Sequence, residues 1–179
     1  MSNGDQSLLE YLAVEAEVRG LRFLLIGGWA LEAYQFARQT VDVDCLIAEP
    51  DVAQVDSFLP AAGFNEIART ANFRRYRHAD FGYLDLLIVD PATFGTLYAS
   101  AQPFAIGSVT LKVPSLPNLI ALKLHGAKND PAREGRELAD IEQLARRGPV
   151  SSDEIKKLCA QFGPPDIWNK LKSRLYGND

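Results

Sequence analysis

The sequence has few of the residues that form disulfide frameworks or zinc sites. Its 179 residues include two cysteines, Cys45 and Cys159, and two histidines. No Cys-x-x-Cys pair or Cys/His cluster brings these residues together, which excludes both kinds of site at their usual spacings. We interpret Cys45, which stands between Asp44 and an apolar run, as a core residue.

The sequence also lacks long apolar runs. No segment approaches the ~18 consecutive apolar residues of a membrane-spanning helix, and the N-terminus has no basic stretch followed by an apolar one. We therefore predict a cytoplasmic protein with no membrane partner. The net charge of −4 argues against a broad nucleic-acid-binding surface, although a local basic patch can still hold a nucleotide or an RNA end.

A glycine pair follows a short apolar run near the start of the chain. Leu21–Ile26 predicts a buried strand, and Trp29–Phe36 predicts a helix. Between them, Gly27 and Gly28 predict a tight turn. Glycine has no Cβ, so the backbone of such a turn can approach a phosphate closely. The pattern predicts a phosphate-facing turn, although many glycine pairs only change the direction of the chain.

Two aspartates lie in the next predicted strand, Val41–Ala48. Side chains alternate along a strand, so Asp42 and Asp44 share one face. Like charges this close repel each other unless a cation neutralises them, and a set of oxygen ligands favours Mg²⁺, or Mn²⁺ in its place. The alternative is a pair of solvated acids on a half-buried sheet.

A third carboxylate, Asp85, lies at the centre of the apolar segment Phe81–Val89. An ionised side chain inside such a strand is costly unless it is paired or coordinated. We expect Asp85 to complete the metal site. The alternatives are an edge-strand residue and the partner of a buried arginine.

These residues, taken in order, resemble the signature of the nucleotidyltransferase superfamily that includes DNA polymerase beta. The resemblance rests on Gly27-Gly28, on Asp42-Val43-Asp44 and on Asp85 in a later strand. The version Arg38-x-Thr40-x-Asp42-Val43-Asp44 looks most like the AbiEii-type nucleotidyltransferases of abortive-infection and toxin–antitoxin systems. More distantly it is similar to small antibiotic-modifying nucleotidyltransferases.

The resemblance implies transfer of a nucleoside monophosphate from a nucleoside triphosphate to an acceptor hydroxyl of RNA, tRNA or protein. One alternative is an antibiotic acceptor, such as an aminoglycoside or lincosamide, and another is a non-catalytic nucleotide-binding module with a cognate toxin or antitoxin partner. The implied metal-binding and catalytic residues are Asp42, Asp44 and Asp85. The implied nucleotide-binding residues are Gly27, Gly28, Arg38 and Lys123, with Thr40, Lys128 and Asp140 in supporting positions.

A cluster of basic residues precedes Asp85 in the sequence. Its members are Arg69, Arg74, Arg75, Arg77 and His78. They can form a patch for the triphosphate or for the phosphates of an RNA acceptor. The alternative is the solvated face of a strand.

The pattern of elements predicts an α/β (α+β) fold, with a mixed sheet flanked by helices and a C-terminal helical part, because consecutive strands without helices between them pair antiparallel. We predict a nucleotidyltransferase core over residues 1-113 and a helical region over residues 114-179, packed on the core. The predicted helices cover Ser7–Arg19, Trp29–Phe36, Asp51–Ala62, Pro91–Tyr98, a segment capped by Ser115, about Ala132–Arg147, a segment capped by Ser151, and Asp166–Leu175. The predicted strands are Leu21–Ile26, Val41–Ala48, Phe64–Ala68, Phe73–His78, Phe81–Val89, Phe104–Ile106 and Val109–Val113.

Overall fold

The computed structural model describes residues 3–40 and 42–176, and side chains from residue 8 onward. These residues divide into two compact units. Unit 1 runs to Ala33 and resumes over Ala37–Pro114. Unit 2 takes the short segment Tyr34–Phe36 and everything described from Ser115 onward.

Unit 1 contains a five-stranded mixed sheet in the order β1-β2-β5-β4-β3. The strands are β1 (Leu24–Leu25), β2 (Asp42–Ala48), β3 (Asn65–Thr70), β4 (Phe73–His78) and β5 (Gly82–Val89). β2 and β5 pair in parallel, and the other neighbours pair antiparallel. The predicted mixed sheet is therefore confirmed, and its one parallel pair joins the two strands that carry the aspartates.

Burial explains this strand order. β2 and β5 are mostly buried, as their apolar runs predict, whereas every residue of β3 is exposed. β3 is an edge strand and carries charged and polar side chains, which disfavour pairing with another chain. The strands that bear Asp42, Asp44 and Asp85 consequently lie in the interior of the sheet.

The remaining elements of unit 1 are four α-helices, short 3₁₀ turns such as Glu49–Asp51, and a hairpin. The helices are α1 (Asn3–Arg19), α2 (Gly27–Ala30), α3 (Val52–Ala61) and α4 (Pro91–Ala99), and the hairpin strands are β6 (Gln102–Ile106) and β7 (Val109–Val113). Asp90 caps α4, because its Oδ1 accepts hydrogen bonds from the backbone N–H groups of Ala92 and Thr93, each at 3.0 Å. No helix in the described part of the chain is both long enough and apolar enough to cross a membrane.

Unit 2 is helical. It contains α5 (Leu116–Asn129), α6 (Glu134–Arg147), α7 (Ser152–Phe162) and α8 (Ile167–Tyr176). The predicted cap of α7 is confirmed, because Ser151 Oγ accepts a hydrogen bond from the Glu154 N–H at 3.2 Å. The core side chains of unit 2 are buried leucines and isoleucines, among them Leu119, Ile120, Leu124, Leu138, Ile141, Leu144, Ile155 and Leu171.

Two predictions near the glycine pair were wrong. The strand predicted over Leu21–Ile26 is reduced to β1, which pairs only with β2. The helix predicted over Trp29–Phe36 is the single turn α2, followed by a 3₁₀ turn at Glu32–Tyr34. Gln35 has a φ of +59°, a left-handed conformation that ends a right-handed helix. The apolar pattern did not reveal this backbone reversal.

The other boundaries agree with the predicted elements to within a few residues. The predicted strand start at Val41 lies outside the described residues. Gly20 has a φ of +66° and ends α1, as predicted. Cys45 and Cys159 are both buried free thiols, in agreement with the predicted absence of a disulfide framework.

Candidate active site

The first two carboxylates of the site lie on β2. Val43 and Cys45 are almost fully buried, while Asp42 and Asp44 point to the opposite face and are half-buried. This alternation confirms that the two aspartates share one face. Burial raises the pKa of the Cys45 thiol, and the charge of Asp44 adds to the effect, so this thiol is a neutral core group.

The parallel pairing of β2 with β5 places the third carboxylate beside the first two. In this register Asp44 lies directly beside Asp85, and Asp42 lies beside Tyr83. Asp85 is 7% exposed, which makes it one of the few buried charged residues of the protein. The structure therefore brings the three predicted acids together on neighbouring strands.

The turn at Gly27 lies against the carboxylate of Asp44. Gly27 has a φ of +64°, and a Cβ added there would lie 2.0 Å from Asp44 Oδ2. The N–H of Ile26 donates to the carbonyl of Asp44 at 2.9 Å, which holds the turn beside β2. Both the backbone conformation and the available space require glycine at this position.

Gly28 is required for a different contact. A Cβ added at Gly28 would lie 2.8 Å from the Cβ of Thr40. The hydroxyl of Thr40 donates to the carbonyl of Asp42 at 3.2 Å, and Arg38 donates through Nη1 to the carbonyl of Gln39 at 3.2 Å. Thr40 thus packs on the glycine turn and orients the start of β2.

Arg75 lies between two of the carboxylates. Its Nε donates to Asp85 Oδ1 at 2.6 Å, and its Nη2 contacts Asp85 Oδ2 at 2.5 Å and Asp42 Oδ2 at 3.0 Å. The hydrogen bonds to Asp85 raise the pKa of the guanidinium further above its usual value and, together with the charges of Asp42 and Asp44, outweigh partial burial. The possible pairing of Asp85 with an arginine is therefore observed.

The basic cluster that contains Arg75 is not a single surface for anions. Arg69 forms ion pairs with Glu66 at 2.6 Å and Asp56 at 3.1 Å. Arg77 lies over the ring of Tyr83 at 5.9 Å. His78 Nδ1 accepts hydrogen bonds from two backbone N–H groups, those of Asp80 and Phe81. Arg69 and Arg75 are thus already matched with carboxylates, which leaves less positive charge for a polyanion.

Lys123 is buried inside unit 2. Its ammonium lies 2.6 Å from Asp140 Oδ2 and 3.1 Å from Glu137 Oε2, and all three side chains are at most 5% exposed. Asp140 is therefore a partner of Lys123 and not a helix-surface acid. A role of Lys123 in binding the triphosphate stays a prediction, as does a supporting role of the exposed Lys128.

Glu137 is the member of this group that sequence reasoning missed. Burial alone raises its pKa, yet the charges and hydrogen bonds of Lys123 and Arg133 outweigh burial and lower it. A signal was present, because Glu137 continues the stripe of Ile141 and Leu144 at helical spacing. A carboxylate in an apolar stripe predicts a buried ion pair.

The donor set in unit 1 has the chemistry of a magnesium site. Asp42, Asp44 and Asp85 supply only oxygen ligands, as Mg²⁺ prefers, and Asp42 and Asp44 are accessible from one face of β2. Within the described residues, no three His, Cys, Asp or Glu side chains converge closely enough to hold a metal ion together. The guanidinium of Arg75 lies within ion-pair distance of both Asp42 and Asp85.

Comparison with solved structures identifies the fold. The solution structure of the antibiotic-resistance factor ANT(2'')-Ia matches with a TM-score of 0.72, covers 99% of this chain and 100% of that protein, and has 14% sequence identity. The chain has the nucleotidyltransferase fold. A crystal structure of ANT(2'')-Ia with adenylyl-2''-tobramycin gives a TM-score of 0.70 at 15% identity, over 88% of this chain and 95% of that one.

A third solved structure extends the comparison. The lincomycin-bound lincosamide antibiotic adenylyltransferase LnuA gives a TM-score of 0.60 at 16% identity, and covers 78% of this chain and 96% of that one. No protein-family model and no curated protein sequence matches the chain. At these identities the likeness shows the nucleotidyltransferase fold alone.

Proposed function

We propose that this protein is a metal-dependent nucleotidyltransferase that moves a nucleoside monophosphate from a nucleoside triphosphate to a hydroxyl of a small-molecule acceptor, with release of pyrophosphate. One observation carries the proposal. Within a nucleotidyltransferase fold, Asp42 and Asp44 share a face of β2, and Asp85 lies beside Asp44 on β5. Three acids on two adjoining interior strands repel one another, and a bound divalent cation would add to the neutralisation that Arg75 provides.

In this proposal Asp42 and Asp44 hold the magnesium ion. When bound, the ion neutralises phosphate charge and favours displacement at phosphorus. Asp85, whose two oxygens both accept hydrogen bonds from Arg75, holds that arginine beside the acid pair. Backbone N–H groups at the turn of Gly27 and Gly28 contact the phosphates, while the glycines themselves make room for Asp44 and Thr40.

Two observations favour a small acceptor over RNA. The positive charge of Arg69 and Arg75 is matched by carboxylates, and the whole chain carries a net charge of −4. A net negative charge suits a cationic or neutral hydroxyl compound better than a polyanion. ANT(2'')-Ia is described as an antibiotic-resistance factor and its crystal structure contains adenylyl-2''-tobramycin, and LnuA is described as a lincosamide antibiotic adenylyltransferase; both descriptions support the same acceptor class.

A labelling experiment tests the proposal. The pure protein is incubated with each α-labelled nucleoside triphosphate, Mg²⁺ or Mn²⁺, and separate acceptor pools: aminoglycosides, lincosamides, total RNA, and cell extract. We expect label on a small hydroxyl compound with the wild type and none with Asp42→Asn/Asp44→Asn. The exposed acid Asp80 provides the control variant Asp80→Asn, which should transfer label normally.

Other outcomes select another function. Label on RNA or protein would reject the small acceptor and favour the toxin–antitoxin type of enzyme. ATP binding that the double variant loses, without transfer to any pool, would indicate a non-catalytic nucleotide-binding module. If the wild type neither binds ATP nor transfers label, the nucleotidyltransferase proposal is wrong.

A further inference from the structure

Arg75 already forms the bridge that a shared cation would form between Asp42 and Asp85. Its guanidinium contacts both oxygens of Asp85, at 2.6 and 2.5 Å, and Oδ2 of Asp42 at 3.0 Å. A guanidinium presents its donors in a flat fork that matches a carboxylate, so this geometry is specific and not a loose surface contact. A cation that joined Asp42 to Asp85 would have to displace this fork.

The antiparallel pairing of β4 with β5 places Arg75 beside the acids. In that register Arg75 lies directly opposite Asp85. The guanidinium also lies 6.0 Å from the ring centre of Phe73 and 5.9 Å from that of Tyr83, one on each side in the sheet. The side chain of Arg75 is 38% exposed and that of Asp85 only 10%. Asp85 is therefore the more enclosed partner, and Arg75 covers it.

Arg75 engages Asp85 more fully than Asp42, and this difference divides the acids into one fully paired acid and the two acids of β2. Asp85 commits both of its oxygens to Arg75, whereas Asp42 uses one oxygen for the same guanidinium. Asp42 and Asp44 remain together on the accessible face of β2. The absence of a three-acid cluster among the described residues agrees with this division.

We propose that Arg75 takes the place of a second cation, so that the site binds one divalent ion through Asp42 and Asp44, and Asp85 is neutralised by the protein itself. This inference rests on the proposed function and deepens it. Arg75 is a positioning residue, since it acts through Asp85 and Asp42. A second divalent ion is excluded because it would lie against a fixed positive charge.

Counting bound Mn²⁺ tests the inference without any measurement of activity. Electron paramagnetic resonance is used to determine protein-bound Mn²⁺ at saturation with a non-hydrolysable ATP analogue. We expect one ion per chain for the wild type and two for Arg75→Gln, which removes the positive charge. The matched control is Arg77→Gln, two residues along the same strand, where the guanidinium lies over Tyr83; this variant should bind one ion.

A second variant covers the case in which Arg75→Gln does not fold. Arg75→Lys keeps the charge and should bind one ion, and two ions in this variant would overturn the inference. A thermal measurement adds an independent readout, since saturating Mn²⁺ should raise the Tm of Arg75→Gln more than that of Arg77→Gln.

The outcomes separate this inference from the function on which it rests. Two ions in the wild type, or one ion in a folded Arg75→Gln, overturn the role of Arg75 and leave the nucleotidyltransferase proposal standing. No bound Mn²⁺ in the wild type, with or without the analogue, overturns both.

Discussion

The two units each contain a group of acids held by basic side chains, but the groups differ in exposure. In unit 1 the bridging cation is Arg75, whose side chain is 38% exposed. In unit 2 the central cation is Lys123, which is 5% exposed and lies between two buried carboxylates. A buried pair that loses one partner leaves an uncompensated charge, whereas half-buried carboxylates such as Asp42 and Asp44 can contact a ligand from solvent. We therefore interpret the first group as functional and the second as structural.

The largest effect should follow removal of the acid pair of β2. Asp42→Asn/Asp44→Asn should lower nucleotidyl transfer by about a thousandfold or more, because the charge that binds the metal–nucleotide complex is lost. The variant should remain folded, since Asp42 and Asp44 are only half-buried and Arg75 keeps its ion pair with Asp85. Steady-state transfer rates and circular dichroism provide the measurement. Transfer within about tenfold of the wild type would place the chemistry elsewhere.

Removal of Lys123, the central cation of unit 2, should lower the stability of the fold. Lys123→Met leaves Glu137 and Asp140 buried without their shared partner, which costs about 3–5 kcal/mol. Denaturant unfolding measures this loss. Lys128→Met, at an exposed position on the same helix, should change stability by less than about 0.5 kcal/mol.

The Lys123→Met variant also tests whether the two units differ in function. If Lys123→Met were as stable as the wild type but bound ATP weakly, the sequence-based assignment of Lys123 to the triphosphate would be favoured. The buried group of unit 2 would then be functional as well.

Substitution of Gly27 tests whether the glycine turn controls the position of Asp44. Gly27→Ala places a methyl group where Asp44 Oδ2 lies and requires a φ that alanine disfavours. We expect transfer to fall about a hundredfold through displacement of the carboxylate. Gly95→Ala is the control, because nothing lies within 4 Å of the added Cβ and the site is inside α4. The free energy of unfolding of Gly95→Ala should exceed that of the wild type by about 0.5–1 kcal/mol. Equal activities of the two variants would argue against a functional turn.

The smallest effect concerns the pH dependence of unit 2. The pKa of Glu137 is lowered on folding, so its contribution to stability is present above the unfolded pKa of about 4.3 and is lost as the pH falls below it. Glu137→Gln should therefore show a shallower loss of stability between about pH 5 and pH 3 than the wild type. Unfolding midpoints across this range measure the slope, and identical slopes would contradict the ionised state of Glu137.

Much of the site followed from local patterns. Alternation along β2 predicted that Asp42 and Asp44 share a face, and the apolar surroundings of Asp85 predicted a buried charge. These inferences need only the two-residue period of a strand and the cost of burying a charge. The short length of α2 and the 3₁₀ turn that follows it were not predicted, and the left-handed conformation of Gln35 directly after that turn has no signal in the apolar pattern.

The role of Arg75 could not be predicted from local sequence patterns. In the sequence it is one of several basic residues in a cluster, with nothing to distinguish it from Arg74 or Arg77. Its role appears only when the register of β4 on β5 places it opposite Asp85. A shift by one residue would turn its side chain to the other face of the sheet.

By itself the sequence determined most of the elements outside the segment around the glycine pair, the acids, and the face of β2 on which two of them lie, because these depend on neighbours along the chain. Only the tertiary structure decided which cation meets which acid and why Gly27 must be glycine. The contacts of Arg75 with Asp85 and Asp42 join residues that lie 10 and 33 positions apart in the sequence. The contact of Gly27 with Asp44 joins a turn to the strand that follows it. Such pairings depend on strand register and backbone conformation, which residue types alone do not specify.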